Sequence, residues 1–204
     1  MPSVHPLTPS GVVDAIVARA DEYDGVRRIC IDGAPATDPD ALGAAVVALL
    51  SARRPAVHVR ADRFWRPAGQ RFEYGKQDVQ AYLDTWLDVD ALRREVLDAV
   101  ETRGAVLPGL RDPATDRSLR LPLVPLGDDP VVVVSGATLL GRWLPFELTV
   151  HLRMTPGALA RRTPEAEQWM LEAFAEYDAS VAPADVADLV VRCDDPLHPA
   201  LVVH

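Results

Sequence analysis

The residues with the clearest chemical pattern lie between Gly33 and Asp40, in the stretch GAPATDPD. A glycine follows an apolar run and an acid-rich helix start follows the glycine, which is the arrangement of a phosphate-binding loop. Such a loop needs a second glycine for close backbone approach, then a lysine and a hydroxyl residue for the phosphates and Mg²⁺. Those three positions hold Asp38, Pro39 and Asp40. The pattern therefore predicts a phosphate-loop architecture whose phosphate-binding groups are replaced.

Negative charge at these positions changes what the loop is expected to bind. A helix N-terminus attracts anions, but an aspartate at the cap position, here Asp38, already accepts hydrogen bonds from its free N–H groups. At ~5 Å and an effective dielectric near 20, exchanging one attraction for a repulsion costs on the order of 6 kcal/mol. Ordinary ATP binding in this loop is expected to be unfavourable, and a well-capped helix is the simpler role of Asp38.

A second candidate group follows the strand-like run Ala56–Arg60. Asp62 lies after this strand and before Phe64 and Trp65, so a substrate hydroxyl could lie between an acid and an aromatic ring. The alternative is an aspartate that caps the turn at the strand end. Trp65 and Tyr74 could stack on a base or sugar, or could pack the loop onto the core.

A divalent-ion site is a further alternative for the acidic residues. Asp32, Asp38, Asp40 and Asp62 could converge at strand ends and offer the oxygen ligands that Mg²⁺ or Mn²⁺ prefers. Aspartates near turns need no such cause, so no residue is assigned to a metal. His58 and His151 have no partner at ligand spacing and are expected to be structural.

The elements that position these residues follow from apolar patterning and from helix caps. Val131–Val134 is a run of four valines, typical of a parallel strand buried on both faces. Strands alternate with helices, which predicts a three-layer α/β protein with a parallel sheet, helices on both faces and a site at the strand C-terminal ends. Further strands are predicted at 26–31, 56–60, 146–152, 187–193 and 201–204, and helices at 10–23, from 38 to about 54, 78–86, 88–102, 156–162 and 164–177.

Several stretches together resemble the uridine kinase family of P-loop nucleoside kinases, particularly its divergent actinobacterial members. They are IDGAPATDPDALGAAVVALL, HVRADRFWRP, QDVQAYLDTWLDVDALRREVLDAV, VVVVSGATLLG and ADLVVRCDDPLHP, and they occur in the family's order from Val26 onward. The resemblance implies a P-loop NTPase-like fold. Residues 1–204 are then one domain, with 1–25 an N-terminal helix extension and 104–126 an excursion over the sheet.

The resemblance also implies roles for particular residues. Asp62 matches the family's carboxylate that takes the proton from the nucleoside 5′-hydroxyl, with Phe64 and Trp65 matching the aromatic pair beside it. Asp78 matches an acid associated with the sugar hydroxyls. Where the family has an aromatic and a histidine against the base, with an arginine after them, this chain has Asp112, Asp116 and Arg117. Ser135 replaces an acid that helps to place the metal. Arg161 and Arg162 match the start of the family's lid, and the stretch that follows them is shortened.

Composition restricts the partners. The net charge is −9, and no basic stripe is present, which argues against nucleic acid or an anionic membrane. Lys76 is the only lysine, so no second lysine replaces the missing phosphate lysine. The N-terminal stretch shows no signal-peptide pattern and no apolar run reaches membrane-spanning length, so a cytoplasmic protein is expected. A small-molecule ligand is the expected partner, and the oligomeric state stays open.

Three functions remain open at this level. The first is a uridine-kinase-like protein with a degenerate phosphate loop, impaired in ATP use, that retains a nucleoside-like ligand or a regulatory role. The second is an active nucleoside kinase for uridine or cytidine, using ATP and Mg²⁺, in which Arg161 or Arg162 supplies the missing positive charge. The third is a protein-interaction module without catalysis.

Overall fold

The computed structural model describes residues 3–203, so Met1, Pro2 and His204 lie outside the description. The strands in chain order are β1 Ser3–Pro6, β2 Arg27–Gly33, β3 Ala56–Arg60, β4 Ala105–Val106, β5 Val124–Pro125, β6 Val131–Gly136, β7 Leu148–Arg153, β8 Leu189–Arg192 and β9 Ala200–Val203. The α-helices are α1 Pro9–Ala20, α2 Pro39–Leu50, α3 Ala68–Arg71, α4 Val79–Asp84, α5 Val89–Leu92, α6 Ala99–Arg103, α7 Pro156–Arg162, α8 Met170–Val181 and α9 Pro183–Val186.

Seven strands form the main sheet, in the order β1-β9-β8-β7-β2-β6-β3. The five strands from β8 to β3 are parallel, and β6 pairs with both β2 and β3. All seven residues of β2 and the four valines of β6 are buried. Because helices cover both faces of such a sheet, its central strands are buried along their length rather than on alternate residues. The predicted parallel α/β architecture is therefore confirmed.

Two apolar layers hold the helices against the sheet. On one face, Ile29 and Ile31 of β2 pack with α1 and α2. On the other face, Cys30 packs with the segment from α5 to α6 and with Tyr177 of α8. The alternation of neighbouring β2 residues between the two layers follows from the two-residue period of a strand.

The predicted helix starts are mostly correct because the caps are local. The carboxylates of Asp38, Asp78 and Asp88 each accept a hydrogen bond from the backbone N–H three residues later. Several predicted helix bounds were wrong. The first helix begins at Pro9, with Thr8 as its cap, and ends at Ala20. The helix predicted at 164–177 is α8, which begins at Met170 and continues to Val181, and the one predicted at 88–102 is divided into α5, a π-helical turn Arg93–Leu97 and α6.

The sheet is not parallel throughout, which corrects the simplest form of the prediction. β9 runs antiparallel to β8, and β1, which the sequence patterns did not indicate, adds antiparallel to β9. β1 is short and its residues are exposed, so it has no apolar period to reveal it. Residues 104–126 contain the two-residue strands β4 and β5, paired antiparallel to each other, and Arg111 bridges to Ser118.

Candidate functional site

A cavity of about 260 Å³, called here the Asp62 cavity, lies at the C-terminal ends of β2, β3 and β6. Ligands of open α/β sheets bind at this edge, since strand ends and the loops after them converge there. Of the residues singled out in the sequence, those lining it are Gly33, Asp38, Pro39, Asp40, Asp62, Trp65 and Ser135. The structure thus brings the phosphate-loop positions and the Asp62 region to one cavity.

The backbone of the loop after β2 requires a glycine at its start. A side chain at Gly33 would place its Cβ 2.5 Å from Thr37 Oγ1 and 2.8 Å from Leu152 Cβ, closer than atoms approach. Asp38 adopts a left-handed conformation with φ of 55°, a region that favours glycine and that aspartate tolerates better than most residues. The position that a phosphate loop fills with its second glycine therefore keeps a glycine-like backbone.

A polar network occupies the place where the lysine and hydroxyl of a phosphate loop would act. Asp40 accepts a hydrogen bond from Ser135 Oγ. It also forms an ion pair with Arg60, whose Nε lies 2.9 Å from Asp40 Oδ2. His58 Nε2 lies 2.8 Å from the same Ser135 oxygen. Because the single hydroxyl proton of Ser135 points to Asp40, the neutral His58 ring must carry its proton on Nε2 and donate it. Burial lowers the pKa of His58, although Asp40 raises it in part.

Asp62 stands beside this network on the cavity wall. Arg60 bridges Asp62 and Asp40, so one arginine partly neutralises both acids. Burial raises the pKa of Asp62 above its ordinary value, and the hydrogen bond from Arg60 offsets only part of that rise. Its second oxygen, Oδ1, is buried and has no hydrogen-bond partner among residues 3–203. This oxygen can accept a proton donor that a ligand brings.

The facing wall of the cavity is aromatic. Trp86 packs edge to face against Trp65 and Tyr82, with ring centroids 5.2 and 5.1 Å apart, and all three rings line the cavity. Trp86 is 5% exposed, and its Nε1–H is buried without an acceptor in the described part of the chain. Residues of the cavity wall therefore carry an unused acceptor on Asp62 and an unused donor on Trp86, beside the aromatic rings.

Other predicted substrate residues lie outside this cavity. Phe64 is fully buried in the core, and Tyr74 is 73% exposed at the end of α3. The Asp78 carboxylate caps α4 through Ala81 N, and Arg117 is exposed in the 104–126 excursion. Only Asp62 and Trp65 of the predicted substrate-binding set line the cavity, because the strand-end turn carries both of them there.

The two arginines that match the start of the family's lid also lie away from Asp62. Arg161 and Arg162 are exposed at the end of α7, and Arg162 donates to the Cys193 carbonyl at 3.3 Å. Arg162 lines a separate, open groove beside α1 and α2, where Asp38 is also found. Neither arginine lines the Asp62 cavity.

The four aspartates considered for a divalent ion do not form a site. Asp32 faces a different cavity, Asp38 caps α2, and Asp40 and Asp62 are both engaged by Arg60. Within residues 3–203 no group of three or more His, Cys, Asp or Glu is placed to hold a metal ion. Asp38, Asp40 and Asp62 line one cavity, but Arg60 engages two of them and Asp32 lines another cavity, so the divalent-ion alternative finds no ligand set among the described residues.

Sequence patterns missed Arg60 and Trp86, which complete the cavity. Arg60 is the last residue of β3, two positions before Asp62. This short spacing between an arginine and an acid at a strand end could have predicted their ion pair. Trp86 follows α4 and reaches the cavity because residues 64–66 and 86–88 pair through backbone hydrogen bonds. That second pairing has no local signature.

Neither a protein-family model nor a curated protein matches the sequence. Solved structures do match. The chain is similar to a possible uridine kinase from Bacillus stearothermophilus at 18% identity and a TM-score of 0.71, covering 87% of this chain and 96% of that one. It is also similar to a proposed fructose transport system kinase from Silicibacter, at 22% identity, a TM-score of 0.62 and coverage of 89% and 90%. A D-glycerate 3-kinase from Cryptococcus neoformans matches at 10% identity with a TM-score of 0.51, over 90% of this chain and 93% of that one.

These likenesses define the fold as a uridine-kinase-like P-loop fold, and the expectation drawn from the sequence resemblance is confirmed at that level. Identities this low establish architecture and not activity. In the described part of the chain, residues 3–203, every helix is too short or too polar to cross a bilayer.

Proposed function

We propose that this protein binds a small polyhydroxylated molecule of the nucleoside or sugar class in the Asp62 cavity, and that it does not use ATP as a phosphoryl donor. The observation that carries the proposal is that Asp62 Oδ1 and Trp86 Nε1 are buried without hydrogen-bond partners, on residues that line one cavity; Arg60 Nε, on the same wall, likewise makes no hydrogen bond and is engaged only by the ion pair with Asp40. Leaving such an atom unpaired costs roughly 1–3 kcal/mol, which a bound ligand recovers.

The chemistry of these two atoms selects hydroxyl groups. A hydroxyl both donates and accepts, so one or two hydroxyls satisfy a carboxylate oxygen and an indole N–H together. The C–H faces of a sugar suit the aromatic surfaces of Trp65 and Tyr82. A volume of about 260 Å³ is near the lower end of ordinary small-molecule pockets, which fits a nucleoside better than a nucleotide.

The phosphate slot supports the second half of the proposal. Ser135 is hydrogen-bonded to Asp40 and to His58 there, and Arg60 forms an ion pair with Asp40, so the carboxylate and the hydroxyl at that end are already engaged. Arg60 supplies a positive charge, but it is divided between Asp40 and Asp62. A triphosphate entering this slot has to break that network before it finds a cation.

Thermal-shift and calorimetric titrations with uridine, cytidine, ribose and ATP–Mg²⁺ test the proposal. A ligand that binds the folded state raises the melting temperature, so at least one of the hydroxylated compounds is expected to do so while ATP–Mg²⁺ does not. Asp62→Asn replaces a carboxylate oxygen at nearly constant shape, and Trp86→Phe removes the indole N–H together with one ring, so its folding is checked by its melting curve; each is expected to weaken binding about tenfold or more.

Asp128→Asn is the matched control, because Asp128 is exposed in the turn before β6, at the opposite edge of the sheet from the cavity. Its affinity is expected to equal that of the unmodified protein. A melting shift with ATP–Mg²⁺, together with nucleoside phosphorylation that Asp62→Ala abolishes, would instead establish the active kinase. No small-molecule binding, with a stable protein complex in its place, would establish the interaction module.

A further inference from the structure

A second cavity of about 350 Å³ lies between the end of β7 and the helices α7 and α8. It shares only Gly33 and Thr138 with the lining of the Asp62 cavity. Its floor is formed by Asp32 of β2 and His151 of β7, neither of which takes part in the proposed function. The volume lies in the range of small-molecule pockets.

The hydrogen bonds of Asp32 determine which ring nitrogen of His151 carries a proton. Asp32 is fully buried and accepts from Leu139 N and from His151 Nδ1, both at 2.8 Å. A carboxylate only accepts, so His151 must carry a proton on Nδ1. In the neutral ring the other nitrogen, Nε2, is then a hydrogen-bond acceptor, as in carboxylate–histidine pairs that orient a reactive imidazole.

His151 has a free ring nitrogen, whereas His58, the histidine on β3, does not. His58 donates its Nε2 proton to Ser135 and has no free acceptor on that atom. His151 Nε2 makes no hydrogen bond with any of residues 3–203, while the ring borders the second cavity. A pair that served only to join β2 to β7 would need no cavity beside it.

The walls around this acceptor are largely apolar, with Leu152, Leu159, Leu171, Phe174 and Tyr177 among the lining residues. The Tyr177 hydroxyl accepts from Leu140 N at 3.0 Å, and burial raises its pKa, so it stays neutral. Charged lining residues other than Asp32, namely Arg153 and Asp178, are exposed. The lining hydroxyls of Thr37, Thr138 and Thr155 are hydrogen-bonded to protein groups, so His151 Nε2 is left as the acceptor without a partner beside the apolar side chains in the described part of this cavity.

We infer that this cavity is a second ligand site, and that it takes a small apolar molecule with a single hydroxyl group, which donates to His151 Nε2. The inference is independent of the proposed function, because it uses different side chains and a different cavity. A hydroxyl compound gains the hydrogen bond, whereas an isostere with a methyl group in its place leaves the acceptor unpaired.

Paired titrations with p-cresol and p-xylene test this site, because the two molecules differ only by a hydroxyl and a methyl group. We expect p-cresol to bind at least about tenfold more tightly than p-xylene. Histidine side-chain ¹⁵N NMR should show the His151 Nε2 resonance moving on addition of p-cresol while the His58 resonances stay in place. Excess uridine should leave p-cresol binding unchanged, which separates this site from the Asp62 cavity.

His151→Gln, checked for folding by its melting curve, is expected to abolish the preference for p-cresol. His198→Gln is the matched control, since His198 forms a similar 2.8 Å contact with Asp195 on the exposed surface. Equal affinity for the two compounds, no binding of either, or a p-cresol response at His58 instead of His151 would each overturn the inference. The first and third of these outcomes need no variant and are independent of any folding defect.

Discussion

At the scale of single residues, Arg60 changes the charge that an incoming phosphate would meet at the acidic loop. From sequence, a phosphate approaching Asp38 and Asp40 was expected to meet bare negative charge. In the structure Arg60 pairs with Asp40 and Asp62, so part of that charge is neutralised within the cavity. The repulsion is therefore smaller than the value derived from isolated charges, and under the proposed function the lack of a free cation and of free donors becomes the larger cost of binding ATP.

Restoring the missing groups tests this interpretation. The triple variant Asp38→Gly, Pro39→Lys and Asp40→Ser re-creates a complete phosphate-loop pattern on a backbone that already has a left-handed residue at position 38. It also releases Arg60 from Asp40. We expect ATP–Mg²⁺ to raise the melting temperature of this variant and not that of the unmodified protein. An unchanged melting temperature in a folded variant would show that more than these three positions excludes ATP.

The raised pKa of Asp62 has a consequence for stability. Burial places this pKa above its ordinary value of 3.8. The folded chain therefore holds the proton more tightly than the unfolded chain, and the contribution of this group to stability falls as pH rises through the raised pKa. Asp62→Asn removes the effect, so its stability relative to the unmodified protein should increase between about pH 4 and about pH 7.

Urea denaturation across that pH range measures the difference. Asp112→Asn provides a control of opposite sign, because hydrogen bonds from Thr115 lower the pKa of Asp112 and its ionised form is favoured on folding. That variant should lose relative stability as the pH rises to about 4, below the range of the Asp62 effect, so the denaturation series is extended to about pH 2. Parallel pH curves for the two variants would contradict the argument.

At the scale of elements, the 104–126 excursion is attached to the cavity wall through Arg71. Its guanidinium is buried 4.8 to 5.1 Å from the ring centroids of Phe72, Trp86 and Trp65 and pairs with Asp116 at 3.4 Å. Asp116 also accepts from Ala68 N at the start of α3. One carboxylate from the excursion thus holds both α3 and the arginine behind the aromatic wall.

Asp116→Ala is expected to lower the free energy of unfolding by about 2 kcal/mol, because it leaves a buried arginine without its partner. Adding Arg71→Met should recover part of the loss, since an apolar side chain of similar length replaces the unpaired charge, whereas the hydrogen bond from Ala68 N stays lost. Chemical denaturation of the single and double variants measures both effects. A double variant less stable than Asp116→Ala alone would show that Arg71 stabilises the aromatic wall even without its carboxylate.

At the scale of the whole molecule, the N-terminal helix α1 packs on the sheet. Val12, Ile16 and Val17 of α1 are buried with strands β2 and β7 in one apolar layer. Apolar burial of this kind is the main favourable contribution to folding. The arrangement supports the view that the N-terminal extension folds with the rest of the chain.

Ile16→Ala tests that view. Ile16 is 1% exposed, and removing its side chain is expected to cost about 3 kcal/mol in a single cooperative unfolding transition. Val186→Ala is the control, because Val186 is 57% exposed and its truncation should change stability by less than about 0.5 kcal/mol. A second, earlier transition in Ile16→Ala would show instead that α1 unfolds separately.

What the amino-acid sequence determined alone is the set of features that depend on near neighbours. The caps at Asp38, Asp78 and Asp88 join groups three residues apart, and the valines of β6 make a buried strand whatever lies beside them. These features were sufficient to predict the α/β architecture and to place Asp38, Asp40 and Asp62 at one edge of the sheet.

Only the tertiary structure decided which groups meet. Ser135 and Asp40 are 95 positions apart in the chain, and His151 and Asp32 are 119 positions apart. Such contacts depend on strand order, on register and on which face each side chain takes. A one-residue shift in register reverses every face, and no local pattern carries that information. The architecture was therefore readable from sequence, whereas the pairing of Arg60 with both acids and the free nitrogen of His151 were not.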